Sequence, residues 1–168
     1  MGIEYGDGTD SNLGRIIQVV SENKVGTASV SLGGGADGII WSGPNITMSD
    51  SNNRVLVIAH VTLGLNSEQR ADAKLVRGST SLAIGSSSGS RYRTTAATNS
   101  YVCYYASTCA IVYLDAPGSG THQYKISVHQ GAGGGGRTVY LNRTGCDSNN
   151  SEYSRYSSTI TAMEVAHS

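Results

Sequence analysis

Short runs in which apolar and polar residues alternate follow one another along almost the whole chain. Such runs predict β-strands, because successive side chains of a strand point to opposite faces of a sheet. Between them lie clusters of Gly, Ser, Asn and Asp that favour turns, and helix signals are nearly absent. The predicted strands cover residues 15–20, 28–32, 38–41, 54–63, 72–77, 81–84, 91–95, 101–105, 109–114, 123–129, 137–142 and 158–165.

The longest run, RVLVIAHVTL at residues 54–63, is apolar at both sets of alternating positions. Val55 and Val57 belong to one face, while Leu56 and Ile58 belong to the other. A strand that is apolar on both faces is typical of the middle of a sheet. We therefore expect a central strand here.

About a dozen short strands without intervening helices indicate an all-β fold, either an antiparallel β-sandwich or a barrel. We favour a jelly-roll sandwich, although the spacing of the strands does not give their order. At 168 residues the chain fits one domain with a core of its own. We assign residues 14–168 to this domain and residues 1–13, which are polar and glycine-rich, to a flexible arm outside the core.

The composition agrees with strands and turns, since it includes 22 Gly and 10 Tyr but only 2 Pro and no Phe. Basic and acidic side chains number 12 each, so no broad field attracts nucleic acid or an anionic membrane. No apolar run approaches the roughly 20 residues of a membrane-spanning helix, and no signal-peptide pattern is present. We expect a soluble, unexported chain that binds neither nucleic acid nor membranes.

The chain contains three cysteines, Cys103, Cys109 and Cys146. An odd number argues against a complete disulfide framework of the secreted type, so free thiols are expected. A bridge between Cys103 and Cys109 across a hairpin remains the alternative. Their spacing is not a zinc-binding pattern.

Two glycine-rich segments match functional motifs by their letters alone. GAGGGG at residues 131–136 fits the dinucleotide fingerprint, but a strand pattern follows where that chemistry needs a helix. GSSSG at residues 85–89 places Ser87 as a nucleophile, but a strand-like segment again replaces the required helix. Asp7 and Asp10 lack the full calcium-loop pattern. We expect no enzymatic activity, no cofactor and no metal.

Tyr and Arg side chains interleave in several segments that are flanked by turns. Both residue types are enriched in recognition hot spots, and tyrosine rings can stack on sugars or bases. These side chains are our candidate contacts for a protein or a glycan; the alternative is ordinary decoration of half-exposed strands, together with contacts between subunits. The candidates are Arg91, Tyr92, Arg93, Tyr153, Arg155 and Tyr156, and Tyr101, Tyr104 and Tyr105 lie between the two groups.

Four segments carry a resemblance to a known family: GRIIQVV at 14–20, YLDAPGSGTHQYKISV at 113–128, VYLNR at 139–143 and STITAMEV at 158–165. They resemble strands of a β-sandwich domain of virion structural and tail-fibre proteins of tailed bacteriophages, particularly cyanophages. The first and last segments are similar to the opening and closing strands of that domain. The resembling motifs are structural and include no catalytic residue.

The resemblance implies a non-enzymatic module that assembles as a homotrimer on the particle surface and binds other virion proteins. Many relatives carry this module at the end of a longer fibre, whereas only a short arm precedes Gly14 here, which favours a head decoration (cement) protein or a tip protein. A carbohydrate-binding, lectin-like module that attaches to a host surface glycan is the alternative function. The arm would dock on the particle through Ile3, Tyr5, Asp7 and Asp10.

Overall fold

The computed structural model describes residues 14–33, 35–66, 69–100, 103–130 and 137–167. Within them the chain forms only strands, turns and loops, so the predicted all-β class is confirmed, and no helix in these residues is long and apolar enough to span a membrane. The strands are β1 (Ile16–Lys24), β2 (Ala28–Leu32), β3 (Asp37–Thr47), β4 (Arg54–Leu65), β5 (Gln69–Arg77), β6 (Thr80–Leu82), β7 (Ala96–Ser100), β8 (Ala106–Asp115), β9 (Thr121–Gln130), β10 (Arg137–Leu141) and β11 (Ser158–Val165).

The strands form two antiparallel sheets that pack face to face as a sandwich. Sheet A contains β1, β2, β4, β8, β10 and β11, and sheet B contains β3, β5, β6, β7 and β9. The pairing is nested along the chain, because β1 pairs with β11, β2 with β10, β3 with β9, β4 with β8 and β5 with β7. A double strand folded over in this way has the topology of a jelly roll.

Sheet A is interrupted beside its central strand, where residues 142–157 leave the sheet between β10 and β11. β4 pairs with β11 through its first half and with β10 through its second half. Asn142, which is buried and has a φ of 60°, joins the two parts. Its amide group donates to the carbonyl oxygens of Lys24 at 2.6 Å and Gly26 at 3.1 Å, and its Oδ1 accepts from the Ser158 hydroxyl.

The core lies between the sheets and takes one alternating set of side chains from each strand. β4 is central, as predicted, with β8 on one side and β10 and β11 on the other. Its second apolar set, however, which includes Leu56 and Ile58, faces outward and remains partly exposed. The inward set of β4 is Val55, Val57, Ala59, Val61, Leu63 and Leu65, each almost completely buried.

A buried tyrosine shows how the core accommodates polar groups. Tyr124 is completely buried in β9, and its hydroxyl donates to Asp115 at 2.8 Å. Arg77 Nε lies 2.9 Å from the same carboxylate and compensates its charge. Burial and the hydrogen bond to Asp115 raise the pKa of Tyr124, so this hydroxyl stays protonated and acts as a donor.

Glu164 is a further buried carboxylate, and it fixes the end of β11 to the loop after β3. It accepts hydrogen bonds from Gln18, Asn53, and both the amide and the hydroxyl of Ser49, all between 2.5 and 2.9 Å. Burial alone would raise the pKa of Glu164, but these donors outweigh it and lower the pKa to about 2. The side chain is therefore charged and fully hydrogen-bonded at neutral pH.

Two of the predicted strands are wrong, while the others are present, most of them extended by a few residues. Residues 91–95 belong to the loop before β7, and residues 103–105, the described part of the second predicted strand, lie in a turn that leads into β8. The loop contacts β5 through isolated hydrogen bonds and does not form a ladder: the Thr94 hydroxyl donates to the Ala73 carbonyl at 2.8 Å. The Thr95 amide donates to that same carbonyl at 3.1 Å.

The glycine-rich segment 131–136 lies outside the described residues, but both of its flanks are strands. β9 ends at Gln130 in sheet B, and β10 begins at Arg137 in sheet A. A strand therefore follows this segment, as predicted, and not the helix that a dinucleotide site requires. The segment connects the two sheets.

Candidate functional site

The first predicted group, residues 91–93, lies in the loop between β6 and β7, over the outer face of sheet B. The Tyr92 ring stacks on His129 of β9 with ring centroids 3.4 Å apart. Lys74 Nζ of β5 lies 4.2 Å from the centre of the same ring. The Tyr92 hydroxyl donates to Asp37 of β3. Tyr92 thus ties the loop to three strands of sheet B and is not presented as a free contact.

Asp37 is the electrostatic centre of this cluster. In addition to Tyr92, it contacts Lys74 Nζ at 2.9 Å and His129 Nδ1 at 3.1 Å. Partial burial raises the pKa of Asp37, but the hydrogen bonds from Tyr92 and Lys74 and the charge of Lys74 outweigh it and hold the pKa below its usual value. Burial and the contact with Asp37 raise the pKa of Tyr92. The cluster is an internally satisfied network that fastens a loop.

The two arginines beside Tyr92 are exposed, and each bonds within its own loop. Arg91 donates to the Ser88 hydroxyl at 2.9 Å, and Arg93 donates to the Gly85 carbonyl at 2.6 Å. Ser87 lies in the same loop, which runs on to β7 without the helix that a nucleophile elbow needs.

The second predicted group is held by a disulfide that the sequence did not predict. Cys103 and Cys146 are bonded, with Cα atoms 5.1 Å apart, while Cys109 is a free, buried thiol. The expectation that all thiols are free is wrong, and so is the alternative bridge between Cys103 and Cys109. Cys109 occupies an inward position of β8 opposite Val61, so it faces the core, and burial raises its pKa to about 11.

The segment that carries Cys146 lies against the outer face of sheet A. A Cβ at Gly64 of β4 would collide with the carbonyl oxygen of Arg143, and a Cβ at Gly145 would collide with the carbonyl oxygen of Leu65. Both positions therefore require glycine, because backbone meets backbone there. The close approach and the disulfide together fix the position of residues 142–157.

Three charged side chains and a tyrosine organise the outer part of this segment. Asp147 pairs with both Arg143 and Arg155, which leaves one positive charge in excess. The hydrogen bond from Arg155 and the charges of both arginines lower the pKa of Asp147. The guanidinium of Arg143 also lies 3.9 Å from the centre of the Tyr140 ring. These contacts orient Arg155 toward the surface.

An open concavity of about 370 Å³ lies beside these charges. Tyr153 lines it, and the Tyr153 ring contacts Tyr104 with centroids 5.5 Å apart. Tyr104 is 47% exposed, and it comes from the turn on the other side of the disulfide. The lining therefore offers one aromatic ring beside several hydrogen-bonding groups, and we call it the Tyr153 concavity. It is lined by Asp147, Ser148, Asn149, Asn150, Tyr153 and Arg155.

The structure therefore separates the predicted candidates. The group at 91–93 packs on sheet B, whereas the Tyr153 concavity belongs to the segment beside sheet A. Tyr156 is half-buried and its amide donates to the Asn142 carbonyl at 3.1 Å, so it anchors the segment and does not line the concavity. The predicted docking residues Ile3, Tyr5, Asp7 and Asp10 lie outside the described residues.

Four lining residues were not selected by sequence reasoning: Asp147, Ser148, Asn149 and Asn150. The signal available for them was the polar run DSNN directly after Cys146, which was interpreted only as turn chemistry.

Within the described ranges, no group of three His, Cys, Asp or Glu side chains is placed to hold a metal ion.

No protein-family model matches the chain, and none of the curated proteins is significantly similar to it. One similar solved structure is "Structure of infectious bursal disease virus Gx strain", with 12% sequence identity and a TM-score of 0.43. The match covers 90% of this chain and 37% of that chain, so this protein spans little more than a third of the chain that it matches. A likeness this low carries no argument about function.

Proposed function

We propose that this protein is a non-enzymatic structural protein of a tailed-bacteriophage particle, displayed on the particle surface and acting by protein–protein binding. The observation that carries the proposal is the nested jelly-roll pairing, an architecture used by viral capsid and lectin domains. The segments that resemble phage virion proteins form part of this architecture: residues 14–20 contribute to β1 and residues 158–165 are β11, and the two strands pair.

The disulfide supports a location outside the reducing cytoplasm. Disulfides persist in oxidising surroundings, and a released particle meets such surroundings after the host cell lyses. The Cys103–Cys146 bond fixes two surface segments in the part of the chain that the structure describes. A particle-surface location accounts for a bridge that a permanently cytoplasmic protein would not need.

Two versions of the role are proposed together, a head decoration (cement) protein and a tail-fibre or tip protein. In both, the protein assembles as a homotrimer and residues 1–13 dock it on other virion proteins. Imaging of intact particles with the protein labelled distinguishes the two versions, because the label lies on the head in one case and on the tail in the other. A protein absent from purified particles would contradict the proposal.

The docking role of the arm is tested without changing its length. We expect Ile3→Ser combined with Tyr5→Ser to reduce incorporation into particles strongly, because these are apolar anchors of an otherwise polar arm. Val25→Ser is the control, since Val25 is 72% exposed in the turn between β1 and β2. The amount of protein per particle is measured by quantitative mass spectrometry. Unchanged incorporation of the arm variant would contradict the docking role.

Carbohydrate binding is the second candidate function, and the Tyr153 concavity favours it. An aromatic ring that can stack on a sugar stands beside amide and carboxylate groups that can bond its hydroxyls. Tyr92 is not suitable for testing this candidate, because its ring and hydroxyl are used in contacts with sheet B. A glycan array should show binding that Tyr153→Ala abolishes and Arg91→Ala retains. Absence of binding to any glycan, or retention in Tyr153→Ala, would contradict this candidate.

A further inference from the structure

The outer face of sheet A carries large apolar side chains in register across its strands. Leu114 of β8 lies opposite Leu56 of β4, which lies opposite Met163 of β11, which lies opposite Val19 of β1. An antiparallel sheet that faces water normally alternates apolar side chains inside with polar ones outside. In this row the outside is apolar across four strands.

The neighbouring positions extend this apolar face. Val112 and Ile58 are opposite each other in the next row, which continues with the polar side chains of Thr161 and Ser21, and Ile16 lies opposite Val165 on the other side, next to a bulge. None of these side chains is charged, and charge begins at the margins with Arg54 and His60. We define the sheet A face as Ile16, Val19, Leu56, Ile58, Val112, Leu114, Met163 and Val165.

The exposure of these side chains is high for residues of their size. Val112 is 66% exposed, Leu114 and Ile16 are each 54% exposed, and Val19 is 53% exposed. Ile111, which precedes Val112 on β8 and faces inward, is only 2% exposed. β8 therefore has apolar side chains on both faces, and described residues cover only the inner face. The sheet A face is therefore an exposed apolar surface that can bind a partner.

We propose that the sheet A face is the surface through which copies of this chain bind one another. The inference rests on the proposed structural function and specifies one contact between subunits. The partner is a second copy of the chain, which presents the same uncharged, apolar surface, so this contact is two-fold symmetric and distinct from the contact that closes a homotrimer.

The size of the face suits such a contact. Four strands about 4.8 Å apart and three rows over about 20 Å of strand give roughly 400 Å² in projection, which includes the polar Ser21, Thr161 and Arg54 beside the apolar side chains. Two such faces and their polar margins reach the total of about 1,000 Å² that a specific interface needs. The largest apolar patch of a typical monomer has a similar size and is often functional.

Charge and shape favour a second copy as the partner. The formal net charge of the chain is zero, so two copies do not repel each other over long range. Apolar faces of twisted sheets pack on one another with their side chains interdigitated, as the two sheets of a sandwich do.

The test compares two double variants of the full chain by sedimentation velocity over a wide range of concentration. Val112→Glu with Leu114→Glu places two charges on the sheet A face. Val25→Glu with Ile39→Glu is the control, because Val25 and Ile39 are 72% and 46% exposed outside that face and the change in charge is the same. We expect the wild type and the control to self-associate, and the face variant to associate roughly 30-fold more weakly or not at all.

Circular dichroism verifies that each variant is folded, and Val112→Thr with Leu114→Ser repeats the test without added charge. A wild type that sediments as a single chain at every concentration would overturn the proposal and indicate another occupant, such as residues 1–13 or a different protein. A face variant that associates like the wild type would also overturn it. An oligomer that is absent from particles would contradict only the proposed function, and the mass of the oligomer separately tests the trimer.

Discussion

Two segments with the same chemistry, RYR at residues 91–93 and YSRY at residues 153–156, have different positions in the molecule. Tyr92 is fixed by stacking on His129 and by its hydrogen bond to Asp37. Tyr153 contacts Tyr104 from the other side of a disulfide and lines an open concavity.

The difference lies in what each segment packs against. The loop with Tyr92 crosses a sheet face that supplies Asp37, Lys74 and His129, so its aromatic ring is used for stability. Residues 142–157 lie against β4 through backbone at Gly64 and Gly145, and the side chains of Tyr153 and Arg155 remain available at the surface. The residue types therefore indicated that both segments carry tyrosine and arginine. The strands beneath each segment determined which tyrosine is available to bind a partner.

Loss of the disulfide should have the largest effect on this comparison. Cys103→Ser with Cys146→Ser opens a link between residues 43 positions apart, which the chain-entropy model values at about 4 kcal/mol in the free energy of unfolding. Denaturant unfolding followed by Trp41 fluorescence measures the loss. Hydrogen exchange should become faster in residues 142–157 and stay nearly unchanged in the loop of Tyr92.

Cys109→Ala is the control for this prediction, because it removes a thiol and keeps the bridge. A double variant as stable as the wild type under oxidising conditions would show that the bridge does not stabilise the Tyr153 concavity.

Replacement of each tyrosine in turn should show the next largest effect. Tyr92→Ala removes a stacked ring and leaves Asp37 with fewer donors, so we expect the free energy of unfolding to fall by about 3 kcal/mol. Tyr153→Ala is the matched variant and should cost about 1 kcal/mol or less, because its ring borders open space. Thermal and denaturant unfolding measure both values. Equal losses would remove the distinction between the two segments.

The smallest predicted effect is a difference in pH dependence. The pKa of Asp37 in the folded protein is below its usual value of 3.8, so the carboxylate stabilises the fold above that value and loses this contribution as the pH falls through the folded pKa. Asp37→Asn should therefore cost about 1 kcal/mol at neutral pH, since the group is partly exposed. The gap between variant and wild type should narrow below about pH 4.

Asp147→Asn provides the comparison for this measurement, because Asp147 pairs with two arginines whose attraction salt screens, whereas Asp37 also accepts a hydrogen bond from the neutral Tyr92 hydroxyl. Its effect should decrease in concentrated salt, whereas the effect of Asp37→Asn should persist. A pH-independent cost for Asp37→Asn would contradict the assigned role of its charge.

The fold could be predicted to a large extent because alternation is local. β2 and β11 have the predicted bounds, and β4 is central as its two apolar sets indicated. The sequence did not show whether the outer apolar side chains of β4 are buried or exposed. The alternation within one strand does not reveal what packs against each of its faces. Leu56 and Ile58 therefore looked like core residues and are surface residues.

The site was less predictable because it depends on contacts between distant segments. The pairing of Cys103 with Cys146 requires the turn before β8 to contact residues 142–157, and no local sequence pattern indicates that contact. The same is true of Tyr92, whose three partners come from three different strands.

The contact of Gly64 and Gly145 with opposing backbone also supplies a criterion for recognising relatives. Overall sequence similarity is a weak guide for a chain like this, but any protein that places a segment on β4 in the same way must keep a residue without a Cβ at both positions. The two glycines should therefore vary together with the cysteine pair across distant homologues. A chain with larger residues at these two positions would have the same sandwich and a different surface.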